Sequence, residues 1–130
     1  MVILQLRNGT ILKATDTSVK GTPSCHQWHD LPPQRQAVLA VLENVASYLR
    51  EYHEARDLLR CKQCGQLYFC EWQEEMRFDG EDSQDFVLIP VADAAEGLAL
   101  SQLSRMQRIG LPTIVMIWPP SDAKPYWVNR

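Results

Sequence analysis

Cys61 and Cys64, in the stretch "LLRCKQCGQLYFCEW" over residues 58–72, bracket two residues and are followed by Gly65. That spacing writes one knuckle of a zinc ribbon: two thiolates on a tight turn, with a glycine supplying a permissive backbone. A closed tetrahedral site needs four ligands, and no second Cys-x-x-Cys occurs in the chain. Further soft ligands lie in "CHQWH", where Cys25 and His29 would complete a Cys3His set around one structural zinc ion. The alternative for Cys61 and Cys64 is a bare helix-to-strand turn whose thiols pack as small hydrophobes. Cys25 with His26 and His29 also supplies the residue types of a nucleophile and its base. No Gly-rich phosphate loop, His-Glu-x-x-His sequence or Gly-x-Ser-x-Gly elbow accompanies them, so the expectation is a protein that is not an enzyme.

Whether those ligands can meet depends on the elements between them. Residues 34–59 contain no Gly or Pro, and Val38, Val41, Val45, Tyr48, Tyr52, Ala55 and Leu59 step by three and four, which predicts one long amphipathic helix. Such a helix is about 40 Å long, while the eight steps from Cys25 to Pro33 reach back only about 27 Å. On this reading Cys25 and His29 cannot join Cys61 and Cys64, and Cys70 is carried about 20 Å away along a strand. The remaining ligands would be His53, an acidic group such as Asp57, or a second copy of the chain.

Around that helix the pattern predicts strands in pairs. "VILQLRNGTILKAT" alternates on either side of Asn8-Gly9, a strong hairpin signal. "LYFCEWQEEMRF" and "DFVLIPV" flank a polar loop as a second hairpin, residues 92–108 read as a shorter helix stopped by Gly110 and Pro112, and "TIVMIW" reads as a buried strand before a proline-rich tail. The fold class expected is α+β: a single domain over residues 1–130, with a mostly antiparallel sheet built from hairpins, packed against one long helix and one shorter helix.

An apolar fraction of 45% and a charged fraction of 22% fit an ordinary globular chain and exclude a disordered one. No apolar run approaches the length of a membrane span or a signal-peptide core, so a cytoplasmic protein is expected, in which four cysteines do not imply disulfides. Charge is unevenly spread: residues 61–90 carry two Lys/Arg against seven Asp/Glu, while the rest of the chain is nearly balanced. Glu74, Glu75, Asp79, Glu81, Asp82 and Asp85 form one acidic run, which repels nucleic acid and membrane phosphates and steers cationic partners toward itself. Its bland reading is a solvated sheet face and a polar turn.

The block "LRCKQCGQLYFCEWQEEMRFDGEDSQDFVLIPV", about a quarter of the chain, resembles the central block of small bacterial proteins associated with toxin-immunity loci, in which Cys-x-x-Cys-Gly-Gln-Leu-Tyr-Phe runs into an acidic strand ending in Ile-Pro-Val. The resemblance implies an immunity protein that binds and neutralises a cognate toxin domain, such as the C-terminal domain of a contact-dependent inhibition or polymorphic toxin. The acidic run would then face a basic nuclease and occlude it without chemistry of its own. The other functional class in view is a zinc-ribbon-like regulatory or adaptor protein, which half a ribbon supports and the shortage of Lys/Arg patches opposes as far as direct nucleic-acid contact goes.

Overall fold

A computed structural model describes residues 3–5, 11–13, 25–75, 82–118 and 123–129. Six strands form one antiparallel sheet in sequence order: β3 (Leu42–Glu51), β4 (Glu54–Cys61), β5 (Leu67–Glu75), β6 (Ser83–Val91), β7 (Thr113–Trp118) and β8 (Tyr126–Val128). A separate two-stranded hairpin pairs β1 (Ile3–Gln5) with β2 (Ile11–Lys13) as its alternation predicts, while its Asn8-Gly9 turn lies outside the described residues. Four short helices are found among the described residues: α1 (His26–His29), α2 (Arg35–Ala40), α3 (Ala94–Ser101) and α4 (Arg105–Arg108). The class is α+β with a mostly antiparallel sheet built from hairpins. No helix among the described residues is long and apolar enough to cross a membrane.

The expected long helix over 34–59 does not form. Only Arg35–Ala40 is helical, and Leu42–Cys61 is the β3–β4 hairpin. Two β-bulges in β3, between Asn44 and Ala46 and between Ser47 and Leu49, each insert an extra residue into the strand. An inserted residue shifts the alternation by one, so a period of two reads locally as steps of three, which is a helical signature. The turn at Tyr52–His53 carries no Gly, Pro or Asn to mark it. Val45 and Tyr52, expected in the buried stripe, are 45% and 84% exposed. The helix expected over 92–108 is divided in two: Asp93 caps α3 by accepting from the Glu96 N–H, and Ser104 restarts the chain as α4 through a capping box with Gln107.

Both faces of the sheet are covered. On one, residues 25–41 lie over Leu42, Cys61, Tyr68, Cys70, Leu88, Ile114 and Met116. On the other, α3 and the turn after it pack over Leu58, Phe69, Ile89 and Val91 through Leu100, Leu103 and Leu111. Gly97 lets α3 come this close, since a Cβ there would stand 2.8 Å from Tyr48 Oη and 2.9 Å from Leu58 Cδ1. Along β5 the alternation is direct: Tyr68 and Cys70 face residues 25–41, while Phe69 and Glu71 face the helices.

Candidate metal centre

The β4–β5 turn is closed by its own backbone. The Gly65 N–H donates to the Cys61 carbonyl at 2.8 Å, the Cys61 N–H donates to the Gln66 carbonyl at 2.9 Å, and Gly65 adopts φ +83°. A residue with a Cβ would be strained at that φ, so the glycine is required by the turn itself. Within the turn the N–H groups of Gln63 and Cys64 point at the Cys61 sulfur, and that of Gln66 at the Cys64 sulfur. Backbone donors aimed at both sulfurs are what a pair of thiolates needs to share a cation.

Residues 25–41 bring a second set of ligands to this turn. With no long helix in the way, the chain needs only α1, a short connection and α2 to return to the sheet, where the Val41 carbonyl accepts from the Lys62 N–H at 2.8 Å. Gln27, fully buried, braces the segment by donating from Nε2 to the Val38 carbonyl at 3.0 Å. As a result Cys25, His26 and Cys61 present ligand atoms within 4.8 Å of one another. Tetrahedral zinc at ordinary bond lengths holds two thiolate sulfurs about 3.8 Å apart, so contraction by roughly an ångström would seat an ion. Cys64 reaches the surface, and its thiol interacts with those of Cys25 and Cys61. The argument from helix length against Cys25 is therefore overturned, because the helix on which it rested is a hairpin.

Electrostatics within the cluster is divided. Burial would raise the Cys61 thiol, but the Gln63 and Cys64 N–H groups and the neighbouring thiols of Cys64 and Cys25 outweigh it and bring it below its ordinary value. Burial, then the Cys25 and Cys61 thiols, push Cys64 up to about 11 despite the Gln66 N–H. Thiols crowded around a common point oppose one another's ionisation in this way, and a cation among them would relieve it. Tyr68, fully buried, stands beside Cys25, whose thiol is within reach of its hydroxyl without forming a well-directed hydrogen bond. Buried polar atoms of this kind are uncommon, and a thiolate at Cys25 would give this one an acceptor.

The other residues singled out by the sequence lie elsewhere. His29 is exposed and outside the cluster, so His26, one residue after Cys25, takes the place expected of His29. His53 sits at the opposite end of the sheet with Nδ1 3.3 Å from Glu74 Oε1, and Asp57 pairs with Arg50 at 3.1 Å. Cys70 is buried among apolar side chains, and its burial, then the Asp57 and Glu71 carboxylates, push its thiol up to about 12. Of the acidic run, Asp79 and Glu81 lie outside the described residues. Glu74 also accepts from Gln84 at 3.0 Å, Asp85 is held by Arg105 through two bonds of 2.7 Å, and Glu75 is exposed.

A second constellation carries no sequence signal. Glu71, fully buried on β5, meets Arg56 at 2.9 Å, Arg108 at 2.6 Å and Arg105. Arg56 also pairs with Glu54 and Arg105 with Asp85, so three guanidinium groups face three carboxylates. Burial opposes the charge on Glu71, but its bonds to Arg108 and Arg105 prevail and hold the carboxyl below its usual range. Arg56 is near in sequence only to Glu54, and the two helix arginines are 34 and 37 residues from Glu71. The pairing becomes visible only once the strand register and the position of α4 are known.

Compared with known protein families, curated proteins and solved structures, the chain has no match.

Proposed function

We propose that Cys25, His26, Cys61 and Cys64 hold one structural zinc ion, and that the domain this ion staples is a non-catalytic protein-binding module. The observation that carries the reading is the convergence of Cys25 and His26, from the segment over one sheet face, on the Cys61 knuckle at the sheet's end. A site with four protein ligands is closed, which suits a structural metal rather than a catalytic one with an open position. Held this way, residues 25–41 cover the apolar face made by Tyr68, Cys70, Leu88, Ile114 and Met116. Native mass spectrometry of tag-free protein is expected to find one zinc per chain, lost in Cys25→Ser and in Cys61→Ser. Metal-free protein from zinc-replete cells, or full retention of zinc in Cys25→Ser, would overturn the assignment.

Within that role, the toxin-inhibitor reading is favoured by one observation. The end of the sheet remote from the knuckle collects Glu51, Glu54, Glu74, Glu75 and Asp85, with Glu51 and Glu75 exposed. Arg56 and Arg105 pair Glu54 and Asp85, and the acidic excess that remains at Glu51 and Glu75 speeds association with a basic partner and makes it sensitive to salt. Association kinetics with the toxin domain encoded beside the gene, across a salt series, test it. Rates that fall with salt and fall further for Glu75→Lys are expected, and rates indifferent to both would remove the inhibitor role.

A further inference from the structure

The helices cover only part of their sheet face. α3 lies against β3 to β6, and among the described residues no helix packs as closely on β7 or β8. There a groove of about 240 Å³ runs between α4 and the last two strands, walled by Val87, Val115, Val128, Met106 and Ile109. Met106 is 75% exposed and Ile109 66%, large apolar side chains that α4 presents toward water beside an open sheet. Exposed apolar residues scattered singly need no explanation, but gathered around one concavity they mark a contact surface. Arg108 also lines the groove; it is 4% exposed, and its Nε has no hydrogen-bond partner.

The groove does not end in neutral surface. Val87 pairs with Val115 across β6 and β7, and two residues along the same strands Asp85 pairs with Ile117. Those side chains share a face about 7 Å apart. Ile117 and Asp85 then form one wall of a notch of about 130 Å³ whose other walls include Glu74, Glu75 and Ser83. An apolar groove therefore opens, at a spacing of two residues, into a notch whose carboxylates on this face are those of Asp85 and Glu75, Glu74 turning its own to the other side of the sheet toward Gln84. Asp85 is matched by Arg105 and Glu74 by His53 and Gln84, while Glu75 is exposed.

Resting on the protein-binding reading above, we propose that this uncovered half of the sheet is the docking surface for an extended segment of a basic partner protein. The segment seats an apolar side chain in the groove and a lysine or arginine, two residues along, in the notch. Charge complementarity selects that occupant: a purely apolar segment would leave the exposed Glu75 facing desolvation, whereas a cationic side chain meets Glu75 beside the Asp85 carboxylate that Arg105 holds. A backbone carbonyl of the same segment is the acceptor that Arg108 Nε lacks.

The probe is an acetylated, amidated pentapeptide, Thr-Leu-Thr-Arg-Thr, titrated into the metal-loaded protein and followed by amide chemical shifts. Saturable shifts at Val115, Ile117 and Val128 are expected. Ile109→Asp should weaken binding about tenfold, as loss of an interface anchor does; because Ile109 is exposed, an unchanged spectrum of the free variant shows that the fold is intact. Replacing the peptide's arginine by citrulline should weaken binding in the wild type and make no difference in Glu75→Gln. Shifts confined to the Tyr52–His53 hairpin tip would overturn the groove while leaving a protein-binding role standing. Absence of saturable shifts at millimolar peptide, or equal affinity of the citrulline peptide for the wild type, would overturn the proposal, and the metal and kinetic measurements above decide the underlying role separately.

Discussion

Residues 25–41 and the α3–α4 pair cover opposite faces of the same strands, yet they are fastened by different chemistry. The helix side closes with a buried ion network, Glu71 among Arg56, Arg105 and Arg108, over the Phe69–Leu100–Leu111 core. The other side closes with two helices of four and six residues and a cluster of thiols and one imidazole at its end. Helices this short bury little apolar area and lack cooperative stability, and a metal held at the segment's start, as proposed, would offset what its core does not supply. On the helix side, each charge of that network has a partner within the chain.

Glu71→Gln attacks the helix side and should have the largest effect. It leaves three guanidinium groups around a neutral amide, and removing one member of a buried ionic cluster costs about 3–5 kcal/mol. Urea unfolding of metal-loaded protein measures it. Acid should give the same answer by another route. The folded Glu71 carboxyl titrates below its unfolded value, so its contribution is whole above about pH 4.3 and is lost as pH falls through the folded value. The stability gap between wild type and Glu71→Gln should therefore close on acidification. A gap independent of pH would mean that the network stabilises through shape rather than charge.

Removing zinc attacks the other side. At free zinc a hundredfold above its dissociation constant the ion adds about 2.7 kcal/mol, which chelation should abolish in the wild type and leave unchanged in Cys25→Ser. Wild-type stability unaffected by chelator would show that residues 25–41 are held by packing alone, and the contrast between the faces would disappear. Asp85→Asn is a milder probe of the helix side. Asp85 and Arg105 are each about a third exposed, and partly solvated pairs contribute about 1 kcal/mol or less.

The two sides were also unequally legible. Cys61, Cys64 and Gly65 form a local motif, and the knuckle they write is the turn that forms. Its partners were hidden by a single error of period: two bulges in β3 and a turn lacking Gly, Pro or Asn made residues 42–59 read as part of a helix over 34–59, and that helix separated Cys25 from Cys61. The strands from Leu67 to Val91 and from Thr113 to Trp118 showed clearly because their aromatic and branched runs end at polar or proline-containing breaks. β8, inside a proline-rich tail, gave no such sign. Glu71 looked like one more member of an acidic strand; that it points inward depends on register, which no spacing within 71–75 specifies.

Tyr68→Phe is the most discriminating substitution, because the sign of its effect depends on the metal. Without zinc the buried hydroxyl has only the weakly accepting Cys25 thiol beside it, and a poorly satisfied buried polar group costs about 1–3 kcal/mol. Deleting it should leave metal-free protein equally stable or slightly more stable. With zinc bound, Cys25 is a thiolate, and the phenol can donate to its sulfur as an outer-shell partner. Such partners are worth tenfold or more in metal affinity, so the same substitution should weaken zinc binding by about that factor. Competition against a chromophoric chelator reads the affinity, and urea unfolding of the stripped protein reads the stability. Equal zinc affinity in wild type and Tyr68→Phe would place the hydroxyl outside the metal's hydrogen-bond shell, and Tyr68 would then serve the sheet face only through the apolar body of its ring.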